Sequence, residues 1–441
     1  MLLSFRAKNF RSFRDDLVVD MRALNIKGNE ENKANINNTE ILKSIVIFGA
    51  NAAGKSNIVK AFNAMQSAVL HSSRTQRGDK VIGIDPFVLD NESRNNPTEF
   101  EISFLINEDK YIYGFSANKK EVLNEWLYYY PKGSRRVVFS REFNNDTNSY
   151  EWDKNNGKYL KVSSDDVNTY RKMTRENELF LSKIVQLNNK SAATCVFDWF
   201  NNKLKCAGIQ GWNDGEIIAT NMMLREEGKE QNKEEILDLL NKFDLAIDDI
   251  EVKEEILPEG VIDPFLKDLI RKHASAISPN TTPSNDEFRT IKTSFVRKTS
   301  SGEFKINIDD ESDGTRKLYS LVAPFILALR SGTTVVIDEL NNSLHTLILK
   351  QIVDIFHDKN TNKKNAQLIF TTHDGVILDQ EIFRRDQVYF CSKDDDFASY
   401  LEQLSDYKTR DKEKVLKGYL MGRYGGIPNL ASFFDKAEYG D

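Results

Sequence analysis

Eight residues constrain this chain more than any others: Gly49-Ala50-Asn51-Ala52-Ala53-Gly54-Lys55-Ser56, which fit the pattern G-x-x-x-x-G-K-[ST]. The apolar run Ile45-Val46-Ile47-Phe48 precedes them and an amphipathic stretch, 56–70, follows. That order reads as buried strand, tight loop and helix. The glycines let the backbone turn its amides toward a phosphate chain, and the helix start adds the positive end of its dipole. Lys55 is placed to reach the terminal phosphates. Ser56, with Asn57 next to it in the first turn, offers a hydroxyl to Mg²⁺. The expected ligand is ATP with Mg²⁺.

Three further segments belong to the same chemistry. Thr333-Thr334-Val335-Val336-Ile337-Asp338-Glu339 is an apolar strand ending in two carboxylates, and such strands deliver their C-terminal residues to the ligand crevice of an α/β sheet. Asp338 is the expected cation ligand and Glu339 the expected base for the attacking water. His373 follows another apolar strand, 367–370, where a sensor of the terminal phosphate would lie. Ser312-Asp313-Gly314-Thr315 sits just ahead of an apolar helix. On its own it reads as an N-cap. Its place a little upstream of Asp338-Glu339 makes Ser312 and Gly314 a second anion site.

Along the chain, 2–10 and 17–21 read as strands, and residues 84–142 carry a period of two, as in Phe100, Ile102 and Phe104, which marks an antiparallel β layer. Residues 165–284 read as mainly helical, with 275–285 a mobile loop. Residues 289–297 and 304–308 read as strands, and helix and strand then alternate over 315–391. The expected division is an N-terminal ATPase lobe at 1–150, a mainly helical insertion at 151–300 and a C-terminal ATPase lobe at 301–441.

Composition narrows the function. With 441 residues, 40% hydrophobic and 29% charged, the chain is an ordinary globular protein. A net charge of −6 excludes a uniformly basic nucleic-acid surface but leaves room for a local patch. Basic residues cluster at Lys132, Arg135 and Arg136 and at Lys408, Arg410, Lys412 and Lys414; solvated surface is their ordinary meaning. The 3 Cys are scattered without zinc-ligand spacing, and the opening MLLSFRAKNF lacks a signal-peptide pattern. The longest apolar stretch, 318–329, is too short for a bilayer and contains Pro324. The expectation is a cytoplasmic protein without a membrane partner.

Taken in order, the four elements resemble ABC-type ATPase heads of the SMC and RecF kind. More narrowly, the sequence looks like the RloA/AbiLii-like group of prokaryotic ATPases, which includes ATPase subunits of PARIS-type phage-defence systems. The resemblance rests on NFRSF at 9–13, FGAN at 48–51, PTEF at 97–100, NELFLS at 177–182, ESDGT at 311–315, DELNNSLH at 338–345 and GYLMGRYGGIP at 418–428. It implies an α/β fold: an ABC-type ATPase head, or P-loop NTPase, with an antiparallel β layer and an inserted helical subdomain. It implies a homodimer of heads or a higher homo-oligomer, in which Ser312 and Gly314 of one copy cap the nucleotide held by Lys55 of the other. Arg11 and Ser12 would lie near that nucleotide, and 341–343 would cross the interface. It further implies an abortive-infection role with a separate effector, a TOPRIM-type nuclease or another toxin. The alternative is a RecF/SMC-like DNA-repair or chromosome-associated ATPase. A transporter motor fits least, given the β-rich insertion. Asp313 and Thr315 depart from ordinary ABC signatures, and a carboxylate beside a phosphate points to slow turnover.

Overall fold

The computed structural model describes residues 1–155, 157–208, 214–225, 228–256, 289–408 and 415–427. The expected mobile loop at 275–285, the basic residues Arg410, Lys412 and Lys414, and Pro428 lie outside them. Two compact units emerge: 1–212 with 327–441, and 213–326. The segment set apart is therefore 213–326, where 151–300 was expected, because the helices at 164–202 pack within the first unit.

The first unit is built on two sheets. The strands Leu204–Ala207, Thr334–Ile337, Gln367–Thr371, Ser44–Gly49 and Val388–Lys393 lie side by side in that order, all parallel, and Ser399–Gln403 closes the edge antiparallel. Ser44–Gly49, Thr334–Ile337 and Gln367–Thr371 are buried throughout, which is why they read as continuous apolar runs. The fold is thus α/β, with the strand before the phosphate loop separated from the Asp338 strand by Gln367–Thr371. The edge strands Leu204–Ala207 and Ser399–Gln403 carry little apolar periodicity and were not expected.

The second sheet is the antiparallel layer, seven strands in which Leu2–Lys8 pairs with both Leu17–Asp20 and Thr98–Ile106. Its regular strands begin at Thr98; residues 84–97 are turns and irregular chain rather than part of the alternating layer. The helix Lys55–His71 turns Ile58, Phe62, Met65 and Val69 inward, and Phe62 stacks on Phe5 of the layer at 3.8 Å between ring centroids. Gln367 joins the two sheets. Its amide donates to Leu2 O at 3.0 Å and Leu42 O at 3.1 Å, and its oxygen accepts from Leu2 N at 2.6 Å and Thr334 Oγ1 at 3.0 Å. Phe180–Leu187, from the NELFLS block, is pinned to both sheets' neighbours. Buried Glu125 accepts the amides of Phe180 and Leu181 at 2.7 and 2.9 Å, and Ser182 donates to Val69 O at the end of the phosphate-loop helix.

In the second unit the strands read at 289–297 and 304–308 are present, and a further strand, Asp249–Ile256, falls in the stretch that read as mainly helical. Beside the helices Asp214–Met223 and Lys229–Lys242 the unit holds an antiparallel sheet of Asp249–Ile256, Arg289–Thr299 and Gly302–Asn307. The helix Asp313–Ser331 begins here, with residues 327–331 belonging to the first unit. Its Tyr319 is fixed by a hydroxyl bond to Asn221 Oδ1 at 2.8 Å, which also accepts from Thr293 at 2.9 Å. Among the described residues no helix is long and apolar enough to cross a membrane.

Candidate active site

The phosphate loop is shaped by its own backbone. Ala52 and Gly54 hold positive φ of 61° and 116°. At Gly54 this is a conformation that favours glycine, and a Cβ there would also stand 2.9 Å from Ser12 Oγ and from Ser399 Cβ. The loop is gripped from both sides at this point. Ser399 donates to Ala53 O at 2.6 Å, its amide donates to Ser12 O at 2.6 Å, and Asn57 donates to Ser12 Oγ at 2.8 Å. Cys391 Sγ lies 3.3 Å from Ala53 O, and a Cβ at Gly426 would stand 3.4 Å from Gly49 Cα. Asn51 and Ala52 are exposed at the mouth.

Lys55 is buried, and its ammonium donates to Gly49 O at 2.7 Å and Ala50 O at 2.9 Å. Burial holds its pKa below the ordinary value, against the opposing pull of Cys391, Glu339 and Asp338. A desolvated ammonium whose ligands are neutral carbonyls is suited to exchanging them for phosphate oxygens.

The Asp338 strand ends beside it. Thr371, fully buried at the end of the neighbouring strand, donates its hydroxyl to Asp338 Oδ1 at 2.6 Å and accepts the Glu339 amide at 2.8 Å. Glu339 sits at φ 49°, a left-handed conformation for a residue with a side chain, and its carboxylate is solvent-exposed. Strain of this kind is retained where surrounding bonds over-determine it, and here Thr371 supplies them. The other Asp338 oxygen and the Ser56 hydroxyl are hard oxygen donors suited to Mg²⁺, which keeps several waters and needs few protein ligands.

His373 is exposed and its Nε2 lies 3.1 Å from Asn341 Nδ2, so the expected sensor and the first residue of the expected interface loop touch. Asp374 anchors this corner by accepting from Val376 N at 3.0 Å and from the Thr346 hydroxyl. Arg11 is turned to Asp85, 3.0 Å away, while its neighbour Ser12 meets the phosphate loop. Ser312 caps its own helix: its hydroxyl accepts Thr315 N at 3.2 Å and lies 2.9 Å from Thr315 Oγ1. Ser312 and Asp313 are exposed, with Gly314 half-buried. The capping reading of that segment therefore holds, alongside whatever else it binds.

Thr371, Ser399 and Cys391 escaped the sequence reading. Thr371 could have been found as the last residue of the strand leading to His373. Ser399 carries no motif, and its signal is only the absent side chain at Gly54.

Residues 44–168 and 229–379 match the family described as AAA domain, putative AbiEii toxin, Type IV TA system. The match covers more than half of the chain and takes in the phosphate loop, Asp338, Glu339 and His373. The chain belongs to that family. Members of the AAA-domain, AbiEii-type family are P-loop ATPases. No curated protein matches. Among solved structures, the SMC head domain from Thermotoga maritima aligns at 13% identity over 91% of this chain and 98% of that one, with a TM-score of 0.39, too loose a superposition to carry an argument.

Proposed function

We propose that the protein binds ATP with Mg²⁺ and hydrolyses it slowly, as the ATPase subunit of an antiphage, abortive-infection system that controls a separate effector. One observation carries the catalytic part: Thr371 clamps Asp338 and the Glu339 backbone together beside buried Lys55. In this reading Lys55 neutralises the terminal phosphates and Ser56 and Asp338 hold the cation, whose positive charge offsets the negative charge of the phosphates. Glu339 accepts the proton of the attacking water, and His373 with Asn341 senses the phosphate that leaves.

Head pairing is part of the same reading. Ser312 and Gly314 open a helix N-terminus at the surface of their unit, which suits a phosphate presented by a second copy. The antiphage role is supported by the family's description and by the resemblance carried in DELNNSLH and GYLMGRYGGIP. The DNA-repair alternative shares all the chemistry and differs in what the ATPase controls.

The test pairs two variants. Lys55→Ala is expected to lose nucleotide binding, because it removes the cation of a polyanion site. Glu339→Gln is expected to bind ATP normally while single-turnover hydrolysis falls by about 100-fold or more, within the range lost with a general base. Parental hydrolysis in Glu339→Gln rules this residue out as the base. For the cellular role, phage plating on cells carrying the native operon is expected to lose protection with either variant. Protection that survives both would refute the antiphage ATPase reading.

A further inference from the structure

The antiparallel layer has one face that the nucleotide chemistry does not use. Phe100, Ile102, Tyr113, Phe115, Leu127 and Phe139 are fully buried on the inner face. On the strand Val122–Tyr130, Trp126, Tyr128 and Tyr130 alternate with buried Glu125 and Leu127 and half-buried Tyr129 and so stand on the outer face, about 7 Å apart. All three are half-buried. Their partners on the next strand are Gly114, Ile112 and Lys110. A Cβ at Gly114 would lie 2.6 Å from Trp126 Cε2, so this glycine lets the indole lie flat on the sheet. Trp126 Nε1 is held by Glu101 at 2.9 Å, which fixes the ring.

Cations gather on this row. Arg135 Cζ lies 3.8 Å from the Tyr128 centroid and Lys110 Nζ 5.2 Å from that of Tyr130. Lys132, at φ 50° in the turn Pro131–Gly133, and Arg136 are exposed beside them. None of these four has a carboxylate within ion-pair distance among the described residues, whereas Arg6, Arg14 and Arg22 are each paired. Of the nearby carboxylates, Glu101 and Asp109 are bonded to neutral donors, Trp126 and Tyr129, and Asp20 is paired with Arg22. In a protein of net charge −6, that concentration of unpaired positive charge on an aromatic row is selective.

We propose that this face binds single-stranded nucleic acid, with bases stacked on Trp126, Tyr128 and Tyr130 and phosphates taken by Lys110, Lys132, Arg135 and Arg136. The ligand class follows from the chemistry. A polyanion satisfies the cations, and unstacked bases satisfy the rings. A duplex keeps its bases inside and could use only the charges. An acidic peptide could use the cations but would add nothing to the rings beyond the contacts that Arg135 and Lys110 already make. The site goes beyond the ATPase reading and does not rest on it.

Fluorescence anisotropy of the full chain with a labelled oligo-dT of about 16 nucleotides, long enough for a single-strand site, tests this. Binding is expected to weaken by about tenfold or more in Tyr128→Ala, the scale of one base stack removed. In the double variant Lys132→Ala/Arg135→Ala, the slope of log K against log salt should shrink by about 0.7 for each phosphate no longer neutralised. ATP binding should be unchanged in both variants. Four results overturn the proposal: no oligonucleotide binding at low salt; affinity unmoved by Tyr128→Ala; equal affinity for a duplex of the same length; or binding of polyglutamate in place of the oligonucleotide.

Discussion

Thr371 performs two tasks with one hydroxyl, donating to Asp338 and accepting from the Glu339 amide. It touches neither substrate nor water in this reading; it positions the two groups that do. Thr371→Val keeps the shape and removes both bonds, leaving a buried carboxylate oxygen and a strained amide unsatisfied. Turnover is expected to fall by about 10- to 100-fold, as for other groups that orient a metal ligand, with ATP affinity changed far less. Thr371→Ser should restore most of it. Equal rates in Thr371→Val and the parent, measured under saturating ATP, would show that the clamp is only structural. From sequence the residue was legible only by its place, as the last of the strand leading to His373; its type carries no signal, because a Thr at a strand end is an ordinary β-former. The phosphate loop was legible because its glycines, Lys55 and Ser56 are contiguous. Arg11 shows the limit of such reading: its guanidinium goes to Asp85, while adjacent Ser12 braces the loop.

Between elements, polar side chains set the register that apolar runs leave open. The strands could be read from their runs, but not their order, since any of several buried strands could neighbour Ser44–Gly49. Gln367 decides one junction, making four bonds to Leu2, Leu42 and Thr334 where an edge position would have been expected from its polarity. Gln367→Leu should cost about 2–4 kcal/mol in chemical unfolding, at roughly 1 kcal/mol for each bond; a loss under half of that would assign the joining of the sheets to packing. A second junction is pH-sensitive. His357 ends the helix Thr346–His357, its Nε2 lies 2.7 Å from Ser44 Oγ, and Gln387 donates to the same hydroxyl at 2.8 Å. Burial first, then the charges of Lys43 and Lys350, lower its pKa to about 3. The folded state therefore keeps His357 neutral while the unfolded chain protonates it below about 6.5. Its contribution is intact above that value and is lost as pH falls toward 3, at up to about 1.4 kcal/mol per unit. The stability difference between pH 7 and pH 5 should narrow by about 2 kcal/mol in His357→Gln. An unchanged difference would mean that other groups carry the acid sensitivity.

Across the whole molecule, the paired-head reading sets the phosphate loop and carboxylates of one copy against the helix start of another. Lys55, Asp338, Glu339 and His373 belong to the first unit, and Ser312 and Gly314 to the second. In its own helix cap Ser312 accepts Thr315 N, so its O–H, which faces Thr315 Oγ1, is what it can turn to a phosphate at the ordered helix start. Exposed Asp313 next to it opposes a phosphate unless it turns away. Pairing should therefore be weak without nucleotide and strongest when ATP is bound and not consumed. In Glu339→Gln with ATP and Mg²⁺, light scattering is expected to report twice the 50.6 kDa of one chain or a higher multiple, and one chain in ADP. Ser312→Arg should lower that mass to one chain while leaving ATP affinity intact, because it blocks only the face offered to the partner. Asp313→Gly should act the other way, tightening pairing and raising turnover. If Ser312→Arg lost ATP affinity as well, the segment would act on its own copy's nucleotide. If Glu339→Gln stayed a single chain at high ATP, the paired-head reading would fail and hydrolysis would have to be completed within one molecule.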